Sequence, residues 1–343
     1  MSKGKVLIIS SPFFNYQISV KDAFEALGFE CKVETYDEPI HPFKGILKWR
    51  HKFSLNKEKL RQKSRILYNK YIKTIYDEFS PDIVFSYNGT ILLDNLLDYF
   101  RKKSKVIIWM YDSVQRADRK ICQSHIDHVD AMFCFEKTDV DFFYAMGKTA
   151  YYLPLSCDPS IYYPIKGIEK TIDILFVGTI YTSKKRISLL EHIADHYPDK
   201  KILFYGEYKP YYKNPIKWLF RKRRHIFRNT NIPPQKVNEL YSKSHILINI
   251  HNEQTIYGAN QRVYEACASG TYQICDSNPY IESLFPCGEV GLYKTEEECF
   301  KLIDEALNND MSKRATAAQD IVLADHTFKN RVKEMLDKIQ ISI

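Results

Sequence analysis

Arg262 and Glu265 carry the sharpest chemical suggestion in the sequence. They stand three residues apart in NIHNEQTIYGANQRVYEACASGTYQICD, Asn249 to Asp276. Gln261 to Ser269 reads as a helix, with Val263, Ala266 and Cys267 on a separate face of small residues. At a helix start an arginine can fork onto a diphosphate, and a glutamate one turn later can accept two hydrogen bonds from a ribose diol. The same spacing also fits an exposed ion pair worth only about 0.3–0.5 kcal/mol.

The elements around the pair give it a place to work. His245 to Ile250, HILINI, is an apolar run that predicts a buried strand, and Asn260 suits the N-cap of the helix that follows. The loop between them therefore lies at a strand's carboxyl end, where open α/β sheets bind ligands and where unpaired helix N–H groups favour an anion. His251 leaves the strand directly and can donate to a phosphate or a sugar, although a lone histidine is more often structural.

A second arrangement of strand, glycine and cations is Phe176-Val177-Gly178-Thr179, followed by Lys184, Lys185 and Arg186. It offers close backbone approach and positive charge to a phosphate, with a tight turn and solvated lysines as the plain alternative. Farther upstream Asp112 ends an apolar run, Val106 to Tyr111, and can take the proton of a hydroxyl as a general base, or cap the segment after it.

At 343 residues the chain exceeds the usual span of one core. Strand-like runs at Lys5 to Ser10, Glu30 to Tyr36, Asp82 to Tyr87, Lys105 to Tyr111, Ala131 to Phe135 and Ala150 to Leu155 alternate with helical stretches such as Val20 to Leu27. Ser156 to Lys170, with two prolines and no period, reads as a linker. A second series follows at Asp173 to Val177, Lys201 to Tyr205, His245 to Ile250 and Tyr272 to Cys275, and after it only helices are expected. Alternation of this kind predicts two parallel sheets wrapped by helices. No Gly-x-Gly-x-x-Gly follows the first strand, so the dinucleotide fingerprint is absent.

No run approaches the roughly 20 apolar residues of a membrane-spanning helix, and MSKGKVLIISSPF reads as a strand rather than a signal peptide, so a cytoplasmic protein is expected. The eight cysteines are scattered without a CxxC pair and read as reduced core residues rather than zinc ligands. The formal charge of +8 is concentrated. Residues 44–65 hold nine Lys/Arg against one Glu, and residues 217–228 hold six with no acid, both interleaved with aromatics. Such blocks are either solvated faces or a patch for an anionic membrane surface or polyanion.

The segments ILINIH, NQRVYEACASGTYQICD, IESLFPCGEVGLY and DHTFKNRVKEML together resemble the carboxyl-terminal half of GT-B fold glycosyltransferases, in particular the group related to the spore-maturation protein CgeB. Asn249, Arg262, Tyr264, Glu265, Ala268, Gly270, Asp276, His326, Thr327, Phe328 and Arg331 carry the pattern in order. One departure is that the better-known retaining enzymes bear two glutamates, and the position of the first, eight before Glu265, is Tyr257. IIWMYDS together with RVYEACASG also resembles phage DNA β-glucosyltransferase, whose corresponding aspartate implies Asp112 as the base.

The resemblance implies an α/β protein of GT-B architecture. Two Rossmann-like, doubly wound domains, residues 1–158 on the acceptor side and 171–326 for the nucleotide-sugar, would face a cleft, with a helix in 327–343 returning to the first. It implies that Gly178, Lys184 and Arg186 face the donor diphosphate, that Asn231 and Ile232 present backbone to the base, and that His251, Tyr257, Arg262 and Glu265 complete the donor site. The expected reaction moves a sugar from a nucleotide-sugar such as a UDP-sugar to a glycan or lipid-linked surface polysaccharide. No metal is expected, because Arg262, Arg186 and helix starts can neutralise the leaving diphosphate. The partners expected are the donor, the glycan or lipid-linked acceptor, and an anionic membrane touched peripherally, at its inner face, through residues 44–65 and 217–228. A DNA acceptor, or a GT-B relative that binds without turnover, is the alternative.

Overall fold

The computed structural model describes residues 3–36, 57–180, 183–207, 225–228 and 230–341. They form two compact units: Met1–Pro154 with Phe328–Ile343, and Leu155–Thr327.

In the first unit the strands are β1 (Lys5–Ser10), β2 (Glu30–Thr35), β3 (Ile83–Tyr87), β4 (Lys105–Met110), β5 (Ala131–Cys134) and β6 (Tyr151–Tyr152). They pair in parallel in the order β2-β1-β3-β4-β5-β6. Runs such as IVFSY and KVIIWM are apolar nearly throughout because both faces of a parallel sheet are covered. The covering helices include α1 (Tyr16–Ala26), α2 (Lys57–Phe79), α3 (Asp94–Arg101) and α4 (Lys137–Ala145). The first helix starts a turn before the Val20 expected from the sequence, preceded by Phe14 and Asn15 in left-handed conformation.

The second unit has β7 (Ile172–Val177), α5 (Lys184–His196), β8 (Ile202–Tyr205), β9 (Phe227–Arg228), α6 (Pro234–Ser242), β10 (Ser244–Asn249), α7 (Gln261–Ala268), β11 (Tyr272–Asp276), α8 (Pro279–Leu284), β12 (Gly291–Tyr293), α9 (Glu296–Asn308) and α10 (Ser312–Asp325). Its sheet runs β12-β11-β10-β7-β8-β9, again parallel. Two strands were not expected. β12 follows β11 where only helices were read, and β9 lies inside the basic block 217–228, of which 217–224 falls outside the described residues. Residues 44–56 of the other block do too.

The expected linker is also corrected, since all of 156–170 belongs to the second unit. Tyr162 is buried with its ring 6.2 Å from that of Tyr241, Tyr163 N donates to Asn238 Oδ1, and Ile165 N donates to Ser242 Oγ, so the segment is docked on α6. Cys157 N donates to His326 O beside the bridge of Cys157 with Thr327. The last helix, α11 (Phe328–Lys338), buries Phe328, Arg331, Val332, Met335 and Leu336, a single stripe at helical spacing, and packs on α1 of the first unit. Phe328 rests 6.0 Å from the Tyr16 ring and 6.2 Å from Trp109.

Candidate functional site

Strands β7, β10 and β11 are neighbours in one parallel sheet, so their carboxyl ends bring Gly178, His251 and Asp276 to the same edge. The helix after β10 is short and buried on nearly every side. Its small residues Ala266, Cys267 and Ala268 allow close packing against α10, whose Ala315 and Ala318 are also buried. It stops at Gly270, φ +67°, where Gly270 N donates to Cys267 O and Thr271 N to Ala266 O, a Schellman turn.

Asn260 holds the N-cap position of α7 as expected, but its side chain makes no cap hydrogen bond. Its amide instead exchanges hydrogen bonds with that of Asn249 at 2.8 and 3.1 Å, clamping the end of β10 to the start of α7. The N-cap side chain therefore does not cover the first turn of α7, a positive helix end that suits an anion. Arg262 sits on this turn, half-buried, and a Cβ built on Gly178 would stand 3.3 Å from its Nε. A side chain at 178 would crowd the guanidinium. Glu265, one turn on, is 3 % exposed and lies within electrostatic reach of Tyr241 and Cys157.

The loop after β7 rests on a glycine that sequence reasoning passed over. Gly206, at the end of β8 with φ +139°, lies so close that a Cβ there would meet Gly178 O at 1.8 Å. Glycine at a strand's carboxyl end was the available signal.

Arg186 is deeply buried and donates from Nε and Nη2 to Ile250 O and from Nη1 to Thr179 O. Three of an arginine's five N–H groups thus tie the ends of β7 and β10 together, so its first role is structural rather than the diphosphate contact expected. Burial, with Arg262 nearby, brings it down to about 10. Lys184 and Lys185 are both exposed, and it is Lys185 whose ammonium pairs with Asp276 Oδ2, at 2.8 Å. Asp276 Oδ1 accepts from His251 N at 2.8 Å and pairs with His251 Nδ1 at 2.7 Å. Burial pushes the Asp276 carboxyl up, but His251 and Lys185 outweigh it and hold the group well below the usual carboxylate range. His251 Nε2 is buried and has no hydrogen-bond partner.

Tyr257 is half-buried with its ring 6.1 Å from Tyr280, whose hydroxyl lies 2.9 Å from that of Tyr264. Asn231 and Ile232 follow β9, at the same sheet edge but two strands from β7.

In the first unit Asp112 follows β4 and is not placed as a poised base. Arg116 Nη1 reaches its Oδ1 at 2.7 Å, and Arg119 Nη2 reaches Oδ2 at 2.8 Å, so both oxygens face guanidiniums. Such partners favour the charged carboxylate and weaken it as a proton acceptor. Burial works against the charge on Arg119, and Asp112 more than offsets it.

His251 Nδ1, Cys275 Sγ and an Asp276 oxygen lie within 4.8 Å of one another, the donor set for a metal ion. The 2.7 Å contact between histidine and aspartate is a hydrogen bond, too close for two ligands spread around a cation. The chain also contains one Asp-x-Asp, Asp139-Val140-Asp141, but Asp139 is buried and accepts from Ser113 Oγ and Val114 N. None of the eight cysteines forms a disulfide. No helix among the described residues is long and apolar enough to cross a membrane.

Residues 185–337 match the family described as glycosyl transferase-like. Among curated proteins, none matches the chain in sequence. A sucrose-phosphate synthase from Thermosynechococcus elongatus is similar in structure at 10% identity, with a TM-score of 0.71 over 98% of each chain. The N-terminal domain of a Candida albicans trehalose-6-phosphate phosphatase aligns at 11% identity and TM-score 0.68 over 99% of this chain and 97% of its own. HepE from Anabaena, in complex with UDP and glucose, aligns at 11% and 0.65 over 98% and 99%. The family match covers the segment that carries Arg262, Glu265 and Asp276, and the two six-stranded parallel sheets match the fold of GT-B glycosyltransferase structures.

Proposed function

We propose that the protein transfers a sugar from a nucleotide-sugar, of the UDP-sugar kind, to a hydroxyl of a glycan or lipid-linked surface polysaccharide. The observation that supports this most directly is Arg262, which is on the first turn of α7 and lies against the glycine that ends β7, inside the family match. A diphosphate at that point meets a guanidinium, helix N–H groups and open backbone. Glu265 takes the ribose, while His251, Tyr257, Asn231 and Ile232 border the site and Lys184 faces solvent beside it.

In the transfer the bond from the anomeric carbon to the diphosphate oxygen breaks, with its electron pair going to the oxygen. The acceptor oxygen bonds to that carbon, and its proton passes to a base. Arg262 and the helix start stabilise the leaving charge, so turnover is expected to survive EDTA.

A thermal-shift series with UDP-, GDP-, ADP- and dTDP-sugars tests the donor. Ligand that binds only the native state stabilises it by about 2.7 kcal/mol at a hundredfold excess over Kd, so one donor is expected to stand out, and a flat series would remove the reading. Tyr257 in the place of a glutamate favours, as a second reading, a relative that binds without turnover. Donor hydrolysis by the wild type would exclude it. The acceptor is approached through Arg221, Lys222, Arg223 and Arg224, outside the described residues. Reversing their charge is expected to weaken binding to anionic vesicles, whereas loss of duplex-DNA binding alone would point to a phage-type DNA acceptor.

A further inference from the structure

The His251 ring is held from one side only. Its Nδ1 and its backbone N share Asp276 Oδ1, and the other Asp276 oxygen is taken by Lys185 from the first turn of α5. Nε2 is buried and has no partner, which a native fold rarely leaves without a reason.

Deepening the donor-site reading, on which it rests, we propose that His251 contacts the diphosphate of the bound nucleotide-sugar through Nε2 and takes up a proton when the donor binds, with Asp276 and Lys185 as positioning residues. With Nδ1–H directed at Asp276, a neutral imidazole presents a bare lone pair at Nε2 and repels an anion. Protonated, it donates on both sides, to a carboxylate and to a phosphate oxygen, and each bond is charge-assisted.

The groups facing this corner act in opposite directions. Arg186 and Lys185 on α5, Arg262 on α7, Asp276 on β11 and Glu253 on the loop are the charged groups that act on one another in this corner. Cys275 and Tyr293 are pushed upward by burial and stay neutral. An arriving diphosphate adds negative charge to this corner, which favours an imidazolium beside it. Nε2 is buried in the present conformation, so the contact requires it to be uncovered as the donor enters.

The test uses UDP-glucose, GDP-mannose, ADP-glucose and dTDP-glucose, whose diphosphodiesters have no titrating group between about pH 5.5 and 8.5. Calorimetry of the wild type, in paired buffers of different ionisation enthalpy, is expected to show uptake of up to about one proton and an affinity that falls by up to about tenfold per pH unit as pH rises. His251→Gln keeps a donor near Nε2 without a titration and is expected to bind with a flat profile. Asp276→Asn is expected to move the profile to lower pH. The ring nitrogen shifts of His251 in wild-type NMR, with and without UDP-glucose, give a readout that needs no variant, and a purely structural histidine would leave them unchanged. A flat wild-type profile, or a His251→Gln profile with the wild-type slope, overturns the proposal while leaving the donor site standing. Absence of binding by all four probes overturns both.

Discussion

At the carboxyl ends of the first sheet, Asp112 is enclosed by Arg116 and Arg119, which also reach the exposed Asp118, so each charge has an opposite neighbour. At the corresponding ends of the second sheet, Arg186 and Arg262 neighbour each other, and the nearby Asp276 already serves His251 and Lys185. Two sheets of the same parallel construction thus treat charge in opposite ways. The first neutralises itself, whereas the second holds cations side by side with backbone carbonyls and glycines between them. Neighbouring guanidiniums kept in place by buried hydrogen bonds suit an anionic ligand, and the contrast favours the second sheet edge as the phosphate site.

The strongest way to break that contrast is to remove the floor beneath the cations. Gly206→Ala puts a methyl group against Gly178 O and is expected to cost about 2–4 kcal/mol in urea unfolding, from left-handed strain and overpacking together. Gly288→Ala is the control, also left-handed at φ +78° but in open space, and is expected to cost about 1 kcal/mol. Equal costs would mean that the close approach of the two loops is not what the glycine provides.

The next test concerns ligand rather than fold. Arg262→Ala and Glu265→Ala, each folded by circular dichroism, are expected to weaken nucleotide binding by about tenfold to a hundredfold, or about 1.5–3 kcal/mol. The complementary change, Asp112→Asn, is expected to leave nucleotide affinity unaltered and to cost about 1–2 kcal/mol of stability, since it leaves two guanidiniums facing a neutral amide. Its effect on turnover sharpens the comparison, because loss of a general base slows a reaction by about a hundredfold or more and loss of an anchor does not. A fall of under about tenfold is expected.

Much of this was legible in the sequence, for identifiable reasons. Runs such as KVLIIS, IVFSY and HILINI announce buried parallel strands because their apolar residues follow one another without the polar alternation of a half-exposed strand. Arg262 and Glu265 were legible because a helix fixes which residues share a turn. β12 was not, being three residues, Gly291–Tyr293, with no period of its own. The linker was misjudged because its prolines signal irregular backbone but not where that backbone docks. Asp112 looked like a base because Arg116 and Arg119 gather around it only through a loop whose path the sequence does not specify.

Lys184 and Lys185 show the same limit at the scale of one residue and give the smallest expected effect. Both are cations at a helix start, and the sequence offers no means of choosing between them. Ser183 decides, since its Oγ accepts from Arg186 N, fixes the first turn of α5 and points Lys185 at Asp276 while Lys184 faces solvent. Lys185 is half-exposed, so its ion pair is worth under about 1 kcal/mol and fades with salt. Lys185→Ala is therefore expected to lose less than that in stability and a few-fold in nucleotide affinity through a looser His251, and Lys184→Ala neither. Because the Asp276 carboxyl is held well below its usual range, the pair contributes throughout neutral pH and is lost only as pH falls below the ordinary carboxylate range. The stability gap between wild type and Lys185→Ala should accordingly be constant near neutrality and close in acid. A larger loss for Lys184→Ala would reverse the orientation of the first turn.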